Sequence, residues 1–183
     1  GGVRPPGFGK KKADASYRAA VGAVALDGGT ARVEVWPTRE GKRPRVVVTP
    51  GGGYVEVDNQ ARTVVGHGTT IRIRLKTRGE RSVAIITGKI GKKRRAPTYV
   101  IRRIENPPLA AGYAFKRLLG RAGVTVDGPV RLGDTAKGAK TLATHRSASS
   151  LESLSAMNKL SNNFIAEMYL RGLVNRRRAT WSA

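Results

Sequence analysis

No cysteine occurs among the 183 residues. Disulfides, thiolate zinc sites and thiol nucleophiles are thereby excluded. Histidine is almost as scarce. His67 sits between two glycines and His145 in a polar stretch, with no paired carboxylates at ligand spacing, so a metal site is not expected. No apolar run approaches the ~20 residues that a membrane span needs. Residues Gly1 to Gly9 lack an apolar signal core and do not begin with Met, which points to a processed chain or an internal piece. Acidic residues are few: 12 Asp and Glu stand against 35 Lys and Arg, for a formal net charge of +23. Such a surface attracts polyanions, whether nucleic acid, anionic lipid or acidic cell-wall polymers, and charge alone does not choose among them. The basic residues spread along the whole chain, densest at Lys10 to Lys12, Lys92 to Arg95 and Arg176 to Arg178.

Apolar residues, 39% of the chain, recur in organised stretches, which argues for a folded core. The 23 glycines favour many turns and short strands. Gly1 to Lys12 reads as an irregular lead-in. Ala20 to Leu26 is a small-residue apolar run read as a strand ending at Asp27-Gly28-Gly29. Ala31 to Trp36 alternates, with Val33 and Val35 on one face and Arg32 and Glu34 on the other. Arg45 to Thr49 is a Val-dense strand, Gly51 to Gly53 turns the chain, and Tyr54, Val55 and Val57 begin the next strand. Thr69 to Leu75 sets Ile71, Ile73 and Leu75 against Arg72 and Arg74, giving one buried and one wet, cationic face. Ser82 to Ile86 is its expected partner through a turn near Gly79, and Thr98 to Ile104 adds one more strand. Together these predict an antiparallel, β-rich region. The glycine strings Gly66-His67-Gly68-Thr69 and Gly88-Lys89-Ile90-Gly91-Lys92 lack phosphate-loop spacing and read as hairpin turns.

The texture changes at Pro107-Pro108, which suits the first turn of a helix near 108–121, with Gly123 able to cap its end. Val124 to Val126 and Val130 to Leu132 read as two short strands. Residues 134–148 are small and polar and read as a linker. Ser149 with Glu152 fits a capping box, and Leu151, Leu154 and Met157 form the apolar stripe of the helix it opens. A second helix is expected over Asn163 to Leu170, stopped by Gly172.

Between those two helices runs Met157-Asn158-Lys159-Leu160-Ser161-Asn162-Asn163-Phe164-Ile165-Ala166-Glu167-Met168. This run resembles the Ser-x-Asn region of the low-molecular-mass class C penicillin-binding proteins, the D-alanyl-D-alanine carboxypeptidases and endopeptidases of peptidase family S13. In that family a Met-Asn-Lys run precedes the motif, and Phe, an Ala-Glu pair and an apolar residue follow it. A bare Ser-x-Asn is a weak signal; the extended run at a helix junction is specific. Tyr17 to Asp27, Val46 to Asn59, Ile104-Glu105-Asn106-Pro107 and Val124 to Gly128 are also similar to family segments. The resemblance implies an α+β chain. Residues 1–133 would be the β-rich accessory insertion, and 149–183 a helical segment of the serine β-lactamase-like catalytic domain.

What the resemblance implies about function is a serine-type hydrolase acting on peptidoglycan peptides in the periplasm or cell-wall space. It would work through an acyl-enzyme, with no cofactor, and the complete enzyme would bind β-lactams. Ser161 would relay a proton to the leaving amine, and Asn163 would anchor a substrate amide. The competing reading of both residues is helix-end capping. The chain departs from the family in two respects. No Ser has a Lys three positions later, and Lys76-Thr77-Arg78 and Lys140-Thr141-Leu142 are the nearest strings to Lys-Thr-Gly. The chain alone is therefore expected to be inactive. The alternative is a basic binding module for nucleic acid or acidic cell-wall polymers, supported by charge and the Arg72 to Arg74 strand. That face lacks the interleaved aromatics that single-strand binders use for stacking.

Overall fold

The computed structural model describes residues 16–22 and 24–181, so the lead-in read over Gly1 to Lys12 lies outside the described residues. Among the described residues, eight strands precede three helices: β1 (Thr30–Trp36), β2 (Arg45–Thr49), β3 (Val55–Asn59), β4 (Arg62–Val64), β5 (Arg72–Arg78), β6 (Arg81–Thr87), β7 (Lys89–Gly91), β8 (Thr98–Arg103), α1 (Pro107–Arg121), α2 (Ser150–Leu160) and α3 (Asn163–Trp181). Short 3-10 turns cover Ser16–Arg18 and Asp27–Gly29. The class is α+β, as the sequence led one to expect.

One antiparallel sheet has the order β2-β1-β8. Its centre is β1, where Ala31, Val33 and Val35 are fully buried while Arg32 and Glu34 pair with each other on the opposite face at 2.7 Å. Strict alternation thus places every second side chain in the core. A second sheet has the order β3-β6-β5. The β5–β6 hairpin closes through Gly79 and Glu80, with Arg78 opposite Arg81. β6 buries Val83, Ala84 and Ile86, as a central strand should.

Four expectations are corrected at the level of elements. β3 pairs parallel to β6, and β4 pairs parallel to β7. Lys89–Gly91 is therefore a strand with Ile90 fully buried, not a hairpin turn. A Cβ on Gly91 would run into the Gly66 carbonyl, so two backbones meet where a side chain would hold them apart. Among its described residues, the apolar run from Ala20 forms no strand. Ala19, Ala20 and Val21 are buried, and a Cβ on Gly22 would lie 2.5 Å from Pro108 Cγ, so this segment packs beneath the start of α1. Apolar character marked burial there only at the start of the run, since Val24 is 59% exposed and Leu26 40%. Val124 to Val126 and Val130 to Leu132 are also irregular, although Val130 packs against the core.

α1 starts where the two prolines predicted. Asn106 caps it, its side-chain oxygen accepting from the Leu109 N–H at 3.3 Å. Its end is a Schellman motif: Val124 N–H donates to Leu119 O at 2.9 Å and Gly123 N–H to Gly120 O at 3.2 Å. Buried Tyr54 ties the helix entry to the sheet, its hydroxyl accepting from the Asn106 N–H at 3.1 Å. Burial pushes the Tyr54 phenol above its ordinary pKa; hydrogen bonds with Ser82 and Asn106 oppose that shift, and the Glu105 charge adds to it. After Gly133 the chain is exposed and without helix or strand until α2.

Candidate functional site

α2 begins at the capping box that the sequence signals. Glu152 N–H donates to Ser149 Oγ at 3.2 Å, and Ser149 N–H donates to Glu152 Oε2 at 2.8 Å. The Ser149 hydroxyl also donates to that carboxylate at 2.7 Å. These bonds, the hydroxyl first and the backbone N–H second, hold the Glu152 carboxyl below its ordinary pKa. A depressed folded-state pKa stabilises above the unfolded value and is lost as pH falls through the folded one. The Ser149 amide is therefore expected to be protected from hydrogen exchange at neutral pH. Protection should fade on acidification below the ordinary carboxylate range, and Glu152→Gln should remove that pH dependence. A protection factor, taken against the intrinsic exchange rate at each pH, that does not change with pH in the unsubstituted protein would refute the linkage.

Ser161 ends α2 in the left-handed region, at φ 47° and ψ 47°. An L residue there costs roughly 1–2 kcal/mol that glycine would not. The backbone bonds at this joint are satisfied without the Ser161 side chain. Asn162 N–H donates to Met157 O at 3.0 Å, and the Ser161 N–H uses the same carbonyl. The Ser161 hydroxyl is exposed and makes no hydrogen bond among the described residues.

Capping of α3 falls to the residue between the two candidates. Asn162 Oδ1 accepts from the Ile165 N–H at 3.1 Å. Asn163 is the first residue of α3, exposed, its Nδ2 donating to Tyr17 O at a long 3.4 Å. The corner is held by Phe164, whose ring lies 3.9 Å from where a Cβ on Gly28 would stand. Glu167 and Arg171 pair at 2.9 Å one turn on. The structure thus brings Ser161 and Asn163 to one exposed interhelical corner, and assigns the capping work to Asn162. Sequence reasoning passed over Asn162, although Asn followed three residues later by an apolar helix residue is an ordinary N-cap signal.

Two helix expectations need correction. α3 does not stop at Gly172 but continues to Trp181. A single glycine costs about 1 kcal/mol against alanine, too little to end a helix that nothing else terminates. The stripe read on α2 is not fully buried either: Leu151 is 78% exposed, Leu154 37%, Met157 is half-buried, and no residue of α2 is fully covered. His67 and His145 are both exposed, and no group of three or more potential metal ligands occurs among the described residues.

This architecture is similar to penicillin-binding protein 4 from Haemophilus influenzae. The match has a TM-score of 0.61 at 18% identity, covering 91% of this chain and 36% of that one. A second structure of that protein, complexed with a novel β-lactam, matches with a TM-score of 0.55 at 19% identity, over 82% and 34% of the two chains. The fold is therefore a part of the penicillin-binding fold. The D-alanyl-D-alanine carboxypeptidase of Actinomadura sp. strain R39 is 32% identical over 167 residues, 86% of this chain and 31% of that protein. A family model, D-Ala-D-Ala carboxypeptidase 3 (S13), matches residues 2–183, and the chain belongs to that family. The match includes Asn175 to Ala183, for which the sequence by itself offered no counterpart. The chain spans about a third of the length of these relatives.

Proposed function

We propose that this chain contributes the Ser-x-Asn corner and the β-rich accessory region to a serine-type D-alanyl-D-alanine carboxypeptidase of peptidoglycan peptides. The observation that carries the reading is the free hydroxyl of Ser161, held in a costly left-handed backbone and unused by either helix end. Strain kept at a polar residue is a mark of a functional position. Exposed apolar side chains on α2 add support, because Leu151, at the head of the stripe, and Leu160, at the helix end, lie open among the described residues.

In the proposed reaction the hydroxyl of a Ser-x-x-Lys serine adds to the carbonyl before the terminal D-Ala. The C–N bond breaks, the departing amine receives its proton through Ser161, and water later hydrolyses the ester. Asn163, offering both a donor and an acceptor, would hold the substrate amide in line. The nucleophile and the Lys-Thr-Gly strand would come from other segments of the parent protein, in the periplasm or cell-wall space. Residues 1–133 would be the insertion, 134–148 a linker, and 149–183 the returning catalytic segment.

Labelled β-lactam should give no covalent adduct with this chain alone, read by mass spectrometry of the intact protein. It should label a protein that joins the chain to Ser-x-x-Lys and Lys-Thr-Gly segments. An adduct on the isolated chain would contradict the division of the site.

A further inference from the structure

β2 is an edge strand. It pairs with β1 on one side, and its other edge faces α1 across an open groove of about 530 Å³. Residues 45–49 make no backbone hydrogen bond outside the β1–β2 ladder among the described residues. Alternate N–H and C=O groups therefore point into the groove unpaired, over the roughly 17 Å that five extended residues span. Natural sheets usually blunt such an edge. The one here lies recessed beside a helix instead.

The groove has an apolar floor and a basic rim. Half-buried Val46 and Val48 line the floor, and exposed Leu118 stands with exposed Arg45, Arg117 and Arg121 along the rim. Arg117, Leu118 and Arg121 share a face of α1 by their spacing. Gly51 lacks the side chain that would collide with the Arg117 guanidinium, so the arginine lies against backbone at the mouth. No Asp or Glu lines the groove, and none of the three arginines has an ion-pair partner among the described residues. Elsewhere carboxylates are already committed: Glu34 to Arg32, Glu56 to Arg78 and Arg81, Glu40 to Lys92, Glu105 to Arg103 and Glu167 to Arg171.

We infer that this groove docks an extended, acidic segment of a partner protein, which adds a strand to β2 and sets its carboxylates against Arg45, Arg117 and Arg121. The open ladder favours a peptide over a polynucleotide. Alternating donors and acceptors at strand spacing match another peptide backbone, whereas a phosphate chain would leave the carbonyl oxygens facing like charge.

The test uses a fluorescent peptide of alternating Glu and Val and measures binding by anisotropy. Arg117→Glu with Arg121→Glu should weaken binding by about tenfold or more, because a rim of reversed charge repels the same carboxylates. Arg72→Glu with Arg74→Glu changes net charge equally on β5, outside the groove, and should cost no more than about threefold. N-methylation of alternate backbone amides of the peptide leaves its charge intact and should abolish binding in one of the two registers. That arm needs no protein variant. Hydrogen exchange at residues 45–49 should slow when the peptide is bound. The inference fails if both double variants lose equally, if neither N-methylated peptide binds more weakly, or if the unsubstituted chain does not bind. It fails also if oligothymidylate displaces the peptide from an otherwise intact groove with the same dependence on Arg117 and Arg121. A protein completed with the missing motifs should still bind; loss on completion would mean that its own chain fills the groove.

Discussion

Ser161→Ala, placed in a protein that joins this chain to Ser-x-x-Lys and Lys-Thr-Gly segments, should lower kcat for D-Ala release by about 10²–10⁴-fold, the range for a positioned proton-transfer group. KM should change little, because the hydroxyl acts on the leaving amine and not on substrate binding. The backbone supplies a control. Ser161 stands at φ 47°, where glycine is preferred, so Ser161→Gly should raise stability by about 1 kcal/mol while losing the same activity. A residue kept only to end α2 would show the opposite pattern, with activity unchanged by either substitution. Steady-state kinetics with thermal melts of both variants separate the two. If Ser161→Ala retained full kcat, the relay role would be wrong.

The second large effect concerns Gly52, which lies between β2 and β3 at φ +118°. A Cβ there would run into the Tyr113 carbonyl, with Tyr113 C at 2.6 Å and Ala114 N at 2.9 Å. Both are backbone atoms of α1 and cannot swing aside as a side chain can. Gly52→Ala should therefore destabilise the chain by about 3 kcal/mol or more, combining a disallowed φ with overpacking. For a chain of this size that lowers Tm by roughly 6–12 °C. Gly79 is the comparison, since its φ is +57° but nothing stands within 4 Å of a Cβ. Gly79→Ala should cost only about 1 kcal/mol. Equal melting shifts for the two would mean that the close approach of α1 to this turn is wrong.

The sequence made some features plain because the signal was local. Alternation over Ala31 to Trp36 places Val33 and Val35 in the core, and the Ser149–Glu152 spacing sets the start of α2. Pro107 and Pro108 mark the entry of α1, and the run around Ser161 carried the family resemblance. What escaped depends on pairing at a distance. Nothing within Val55–Asn59 or Lys89–Gly91 tells a parallel neighbour from an antiparallel one, because alternation fixes a face and not a partner. Gly91 reads as a turn residue until the Gly66 backbone beside it is known. The basic rim of the β2 groove is invisible in one dimension, since Arg45 and Arg117 meet only when α1 folds back along the sheet. At the corner itself, the extended family-like run drew attention to Ser161 and Asn163, and the N-cap signal of Asn162 between them was overlooked.

The complete absence of cysteine from the chain offers a direct probe of the corner. Ser161→Cys introduces the only thiol of these 183 residues, at an exposed position. In the isolated chain it should react with a thiol reagent at the rate of an open cysteine. In the completed protein, after acylation by a β-lactam, the reaction should slow by about tenfold or more, because the adduct and the completed cleft would cover the sulfur. Labelling at an unchanged rate in the acylated protein would place residue 161 outside the cleft and contradict the account.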